Sequence, residues 1–123
     1  MKICVLNIRR DKVPSDSIYI GRKSSTNHHY GNIASHLDNT LASIKVANRN
    51  DAIKAYQDWL DGVKYQDVEP DRRLWILAQI KRLAERGENI SLSCFCRPYR
   101  CHGDVIRERI LAINAKIYGD ENQ

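Results

Sequence analysis

Ile90-Ser91-Leu92-Ser93-Cys94-Phe95-Cys96-Arg97-Pro98-Tyr99-Arg100-Cys101-His102-Gly103-Asp104 joins a strand-like pattern to the start of a helical one. Its first part alternates apolar and small polar residues with period two, which predicts a strand over Ile90 to Phe95 with Cys94 and Cys96 on one face. A short basic segment follows. Beyond it Ile106, Ile110, Ile113 and Ile117 recur as one stripe, which predicts a helix from Asp104 to Tyr118 with Asp104 in its first turn, where a carboxylate complements the helix dipole. A strand that ends in a loop and a helix start is a natural anion site, because the first helical N–H groups lack internal partners.

Upstream, Pro70 and Asp71 open a helix whose Ile76, Ile80 and Leu83 face one way and which Gly87 closes. Before it, Ile53, Tyr56 and Leu60 recur at helical spacing, with Asn50-Asp51 as cap and Gly62 as stop, so a helix is expected over Asp51 to Asp61. Trp59 and Trp75 on these helices read as packing residues.

Lys2 to Ile8 reads as a buried strand and Ile18-Tyr19-Ile20 as a second short one, stopped by Gly21. From Gly21 to His36 the chain is rich in Gly, Ser, Asn and His, the composition of a long loop. Leu41 to Val46 fits either a brief strand or the end of that loop. His28 and His29 lack the carboxylate or the i, i+4 spacing of a metal site and are not taken as ligands.

The order strand, strand, loop, helix, helix, strand, helix specifies an α/β fold: a small three-layer Rossmann-like domain with a mostly parallel sheet. Residues 1–118 form one domain and 119–123 a polar C-terminal tail. In parallel sheets ligands bind beyond the carboxyl ends of the strands. With the first and last strands as parallel neighbours, Asn7 and Arg9 meet Cys96, Arg97 and the Cys101 helix start in one cleft.

With 123 residues, 42% hydrophobic and 28% charged, the chain can bury a core without staples. The net charge of +5 is spread without a long basic run, which favours an anionic small molecule over nucleic acid as partner. No segment is apolar and long enough to span a bilayer and none resembles a signal peptide, so the expectation is a cytoplasmic protein with no membrane partner and reduced cysteines. A homo-oligomer is neither required nor excluded.

The cysteine cluster carries three readings. As a metal site, Cys94, Cys96, Cys101 and His102 offer thiolates and an imidazole suited to zinc, but all four come from one tight loop. As a nucleophile, Cys101 stands at a helix start flanked by Arg97 and Arg100, where a thiolate is stabilised, with His102 and Asp104 as acid/base groups. As structure, Cys101 and His102 simply cap and pack the helix. Cys94 to Arg100 also matches the C-x5-R spacing of cysteine-dependent phosphatases, though Pro98 removes an N–H that such a loop needs.

Val5-Leu6-Asn7-Ile8-Arg9, Tyr19-Ile20-Gly21-Arg22, Gly31-Asn32, Tyr56-Gln57-Asp58-Trp59-Leu60, Leu92-Ser93-Cys94-Phe95-Cys96 and Cys101-His102-Gly103-Asp104-Val105 together resemble the bacterial and phage family called domain of unknown function 4326. The Cys101-His102 segment is also similar to that of domain of unknown function 488. Both resemblances imply a Rossmann-like fold and neither implies a defined activity. His28-His29-Tyr30 stands where the former family tends to carry a tryptophan before Gly-Asn.

The expected function is binding, and processing, of a nucleotide, nucleoside or related phosphorylated small molecule, with no resident metal or cofactor. In that reading Cys101, His102 and Asp104 are catalytic, as in a hydrolase or transferase. Arg9, Arg22 and Arg97 hold the anion, Asn7 and Asn32 orient the sugar or base, and Cys96 lines the pocket. The alternatives are a non-catalytic nucleotide-sequestering or sensing protein, of the kind phages use, and a zinc-stabilised interaction module.

Overall fold

The computed structural model describes residues 1–23, 26, 28–38, 40, 42–95 and 99–119. Cys96, Arg97, Leu41 and the tail beyond Gly119 therefore lie outside the described residues. The chain is a small α/β domain with a mostly parallel sheet and three helices. Strand β1 (Ile3–Asn7) is followed by β2 (Ile18–Tyr19), β3 (Ala34–Ser35) and β4 (Ile44–Lys45). Helices α1 (Arg49–Leu60) and α2 (Pro70–Arg86), strand β5 (Ile90–Cys94) and helix α3 (His102–Tyr118) complete it.

The main sheet has the order β1-β5-β2, with both pairings parallel. β5 is central, as its run of buried residues requires: Leu92, Ser93 and Cys94 are all buried. The register places Val5 beside Leu92 and Asn7 beside Cys94, so the first and last long strands are parallel neighbours, the condition on which the shared cleft was expected.

Short elements departed from expectation. The segment read as one long loop contains β3, which pairs in parallel with β4. Two-residue strands have no periodicity to read. What holds β3 in place is Asn32, whose side-chain oxygen accepts the Ala34 N–H at 2.9 Å while its amide donates to the Ala52 carbonyl at 2.9 Å. Helix α1 starts earlier than the Asn50-Asp51 reading, because Asn48 is the cap and accepts the Asp51 N–H at 2.8 Å. Helix α2 begins at Pro70 and its last turn closes on Gly87, at a φ of 68° that disfavours residues with a Cβ.

Helix α3 packs against β1, and α1 and α2 pack against α3. The core they enclose includes Tyr56, Trp59, Ile76, Ile80, Leu92, Ile106 and Ile110, all essentially without solvent exposure. The Trp59 indole N–H donates to the Val68 carbonyl at 2.7 Å, which satisfies the polar atom of a buried ring.

The start of α3 lies closest to the sheet. A Cβ at Gly103 would stand 2.5 Å from Ile20 Cδ1 and 3.2 Å from Val5 Cγ1. A side chain at this position would have to displace the end of the buried Ile20 side chain. Gly103→Ala is expected to lower unfolding stability by about 1–3 kcal/mol, the range for overpacking a tight core, read as an earlier midpoint in urea denaturation; an unchanged midpoint would contradict this packing.

Candidate functional site

A cleft of about 670 Å³ opens where the carboxyl end of β5 meets the start of α3 and the loops that precede α1. Cys101 and His102 form part of its wall together with Ala52 and Ile53 of α1. Arg22 and Asn32 border it from the loop after β2, and Ser35, His36 and Thr40 from the turn after β3. Arg49 in the first turn of α1 and the rings of Phe95 and Tyr99 complete the rim. Among the described lining residues there is no Asp or Glu. A second groove of about 490 Å³ at the amino ends of β1 and β5 instead carries Asp16 and Glu88.

The α3 start is held by a capping box. The Cys101 Sγ accepts the Gly103 N–H at 3.3 Å, and the Asp104 carboxylate accepts the Cys101 N–H at 3.0 Å. The Asp104 N–H goes to the Cys101 carbonyl at 3.0 Å. The helix start expected to offer unsatisfied N–H groups to an anion has therefore already used three of them internally. Positive charge in the cleft comes from guanidinium groups.

His102 is buried against Tyr56, with ring centroids 5.1 Å apart. Its Nε2 lies 2.6 Å from the Ile20 carbonyl, a contact that requires the Nε2–H tautomer and leaves Nδ1 as an acceptor. Burial lowers its pKa from the ordinary histidine value, against the upward pull of the Ile20 carbonyl. The group is neutral at pH 7.

The opposite wall hangs on Arg72, an arginine of α2 that is 3% exposed. Its guanidinium forms a two-pronged pair with Glu69 at 3.0 and 3.1 Å. The same group donates to the His29 carbonyl at 3.1 Å and the Gly31 carbonyl at 2.6 Å, and lies 4.8 Å from the Trp59 ring. These bonds fix the backbone of residues 29–31, from which Asn32 enters the cleft. Arg22 donates in turn to the Asn32 carbonyl. The loop histidines pack rather than ligate: His28 stacks on Trp75 at 5.5 Å, and His29 Nδ1 accepts the Gly31 N–H at 3.1 Å. Tyr30 also rests on Trp75, at 5.1 Å.

Of the residues singled out from sequence, Arg22, Asn32, Cys101 and His102 come together in the cleft. Asp104 does not line it and serves the capping box. Asn7 is buried at the end of β1, where its side-chain oxygen accepts the Arg9 N–H at 2.8 Å and its amide donates to the Phe95 carbonyl at 3.3 Å. It shapes the strand end. Arg9 reaches the site only through Phe95, with its guanidinium 5.0 Å from that ring. Cys96 and Arg97 lie outside the described residues. Among those described, no group of three or more His, Cys, Asp or Glu is disposed to hold a metal.

Sequence reading missed Arg49, Phe95, Tyr99 and His36. Arg49 is the first residue of α1 and lies just before the Asn50-Asp51 pair read as the cap. Its guanidinium lies 5.0 Å from the Tyr99 ring. The signal available was the arginine in the first turn of a helix, where a positive charge opposes the dipole and gains nothing structurally.

The family model described as Domain of unknown function (DUF4326) matches residues 6–112. No curated protein matches, and no solved structure does. No helix among the described residues is long and apolar enough to cross a membrane.

Two outcomes follow from the buried groups around the cleft. Arg72→Met should cost about 2–4 kcal/mol in chemical denaturation, because it strands two loop carbonyls and the Glu69 carboxylate. His29 has its pKa pushed down to about 4 by burial and then by Arg72 and Arg22. The unfolded chain therefore takes up a proton at pH values where the folded chain does not. Stability contributed by His29 is present above about pH 6.5 and falls as the pH is lowered toward 4. Urea melts across that window should show the fall, and His29→Asn should flatten it.

Proposed function

The chain belongs to the family described as Domain of unknown function (DUF4326), and from the geometry of its cleft we propose that it binds a nucleotide or a closely related phosphorylated small molecule carrying a planar ring. The observation that carries this reading is the joint presence of Arg22, Arg49, Phe95 and Tyr99 around one cleft with no carboxylate among its described lining residues. A phosphate group gains charge-assisted hydrogen bonds from guanidinium groups, and a base gains about 1–3 kcal/mol by stacking on an aromatic ring. Phe95 and Tyr99 are 51% and 65% exposed. Large rings left open to water beside two arginines suit a ligand that is part anion and part aromatic.

Burial and the nearby Arg72 lower the pKa of Arg22, yet a guanidinium keeps its charge at neutral pH. Arg22 and Arg49 thus both present positive charge to the cleft, and an anion relieves the burial cost of the former. Ser35, Thr40 and His36 supply shorter polar groups for the sugar.

Between capture and turnover, the same geometry supports capture. The Cys101 sulfur caps α3, Asp104 closes the capping box, and His102 is held by the Ile20 carbonyl, so all three residues named as catalytic already have structural work. A sequestering or sensing protein needs no more than the cleft itself. Turnover would use Cys101 as nucleophile with the Nδ1 of neutral His102 as base, and it is distinguished by its product.

Nucleoside mono-, di- and triphosphates screened by thermal shift and calorimetry should yield at least one ligand that raises Tm and returns unchanged in mass after incubation. Arg22→Gln and Arg49→Gln should each weaken that ligand about tenfold or more, since a hydrogen bond to a charged group contributes about 1.5–3 kcal/mol. Tyr99→Ala should weaken it less, and Arg10→Gln, on an exposed turn away from the cleft, not at all. Loss of the ligand's mass, abolished in Cys101→Ala, would assign turnover instead. Failure of every phosphate to shift Tm would end the nucleotide reading.

A further inference from the structure

Cys94 ends the central strand, Cys101 caps α3, and their sulfurs lie 3.7 Å apart inside the fold. The two thiols are 2% and 3% exposed. Their side chains come from the last residue of β5 and the cap residue of α3, two ends of regular elements. Cys101 also borders the cleft.

From this pairing we propose that Cys94 and Cys101 are a redox modification site, oxidised by a hydroperoxide to a reversible disulfide. The two sulfurs are not equivalent. Cys101 Sγ accepts the Gly103 N–H at 3.3 Å at the positive end of a 17-residue helix, which favours negative charge on that sulfur. Cys101 therefore attacks first: its thiolate displaces one peroxide oxygen to give a sulfenic acid and releases the other as water or alcohol. The Cys94 thiol then attacks the sulfenic sulfur, forms the S–S bond and releases water. Two thiols lose two electrons, and the peroxide gains them. The sulfurs must close from 3.7 Å to about 2.05 Å, a movement within reach of side-chain rotation. Closing the bond draws the Cys101 sulfur away from the Gly103 N–H and changes the wall of the cleft. The step goes beyond ligand capture and does not require it.

Treating the intact protein with stoichiometric hydrogen peroxide tests this site. The expected product has lost the mass of two hydrogens and regains it on addition of a dithiol reductant. Fragmentation of its cross-linked tryptic peptides should join Cys94 to Cys101. The cross-link should persist in Cys4→Ser and Cys96→Ser and vanish in Cys94→Ser and Cys101→Ser, serine being a competent helix cap. Fragmentation of the unmutated protein locates the bond even where a variant folds poorly. A bond from Cys96 to either partner, a sulfinic acid on Cys101 without cross-link, or thiols that survive peroxide untouched would each overturn the assignment.

Discussion

Everything in this domain depends on how closely α3 approaches the sheet. Gly103 meets Val5 from β1 and Ile20 beyond β2 with no room for a methyl group, so the helix starts directly over the carboxyl ends of the strands. That single contact sets the position of Cys101 and His102, brings the Cys101 sulfur to that of Cys94, and creates the wall from which the cleft opens. The capping box of Cys101 and Asp104 holds the start of the helix in place, at the cost of consuming the N–H groups that a bare helix terminus would offer to an anion.

The second wall is built by a different device. Arg72 comes from the far helix α2 and is buried under Trp59, and it binds two carbonyls of the 29–31 segment as a structural cation. Its own charge is answered by Glu69, whose backbone adopts a left-handed conformation at the head of α2. Burying an arginine is costly unless every donor finds a partner. Here the return is a loop rich in small and polar residues held firmly enough to present Arg22 and Asn32 to the same cleft as α3.

The sequence was informative where physics writes a repeating signal. The period-two run ending at Cys94, the isoleucine stripe of α3 and the Pro70 and Gly87 boundaries of α2 each report a long element, and their order pointed to a mostly parallel sheet. β3 escaped inside the segment read as a loop, and β4 fell where Leu41 to Val46 was left open between strand and loop. The Asn32 amide beside β3 reaches Ala52, 20 residues away. Within the site, Cys101, His102, Arg22 and Asn32 were legible as reactive or polar groups near predicted strand ends. Asn7 and Asp104 looked like site residues from sequence, yet each bonds its side chain to nearby backbone groups, which is visible only once partners are known. Arg49 and Tyr99 were hidden because their proximity joins segments 50 residues apart in the chain.

The face between the α3 start and the Arg72-held loop is where the proposed phosphorylated aromatic ligand would bind. Nuclear magnetic resonance of the isotope-labelled protein, titrated with a nucleoside phosphate, tests this placement most directly. Backbone amide shifts are expected to concentrate at Arg22, Asn32 to His36, Arg49 to Ile53 and Tyr99 to Gly103. Shifts gathered instead around Lys2, Cys4, Glu88 and Ser91, in the groove at the amino ends of the strands, or spread evenly over the basic surface, would contradict it.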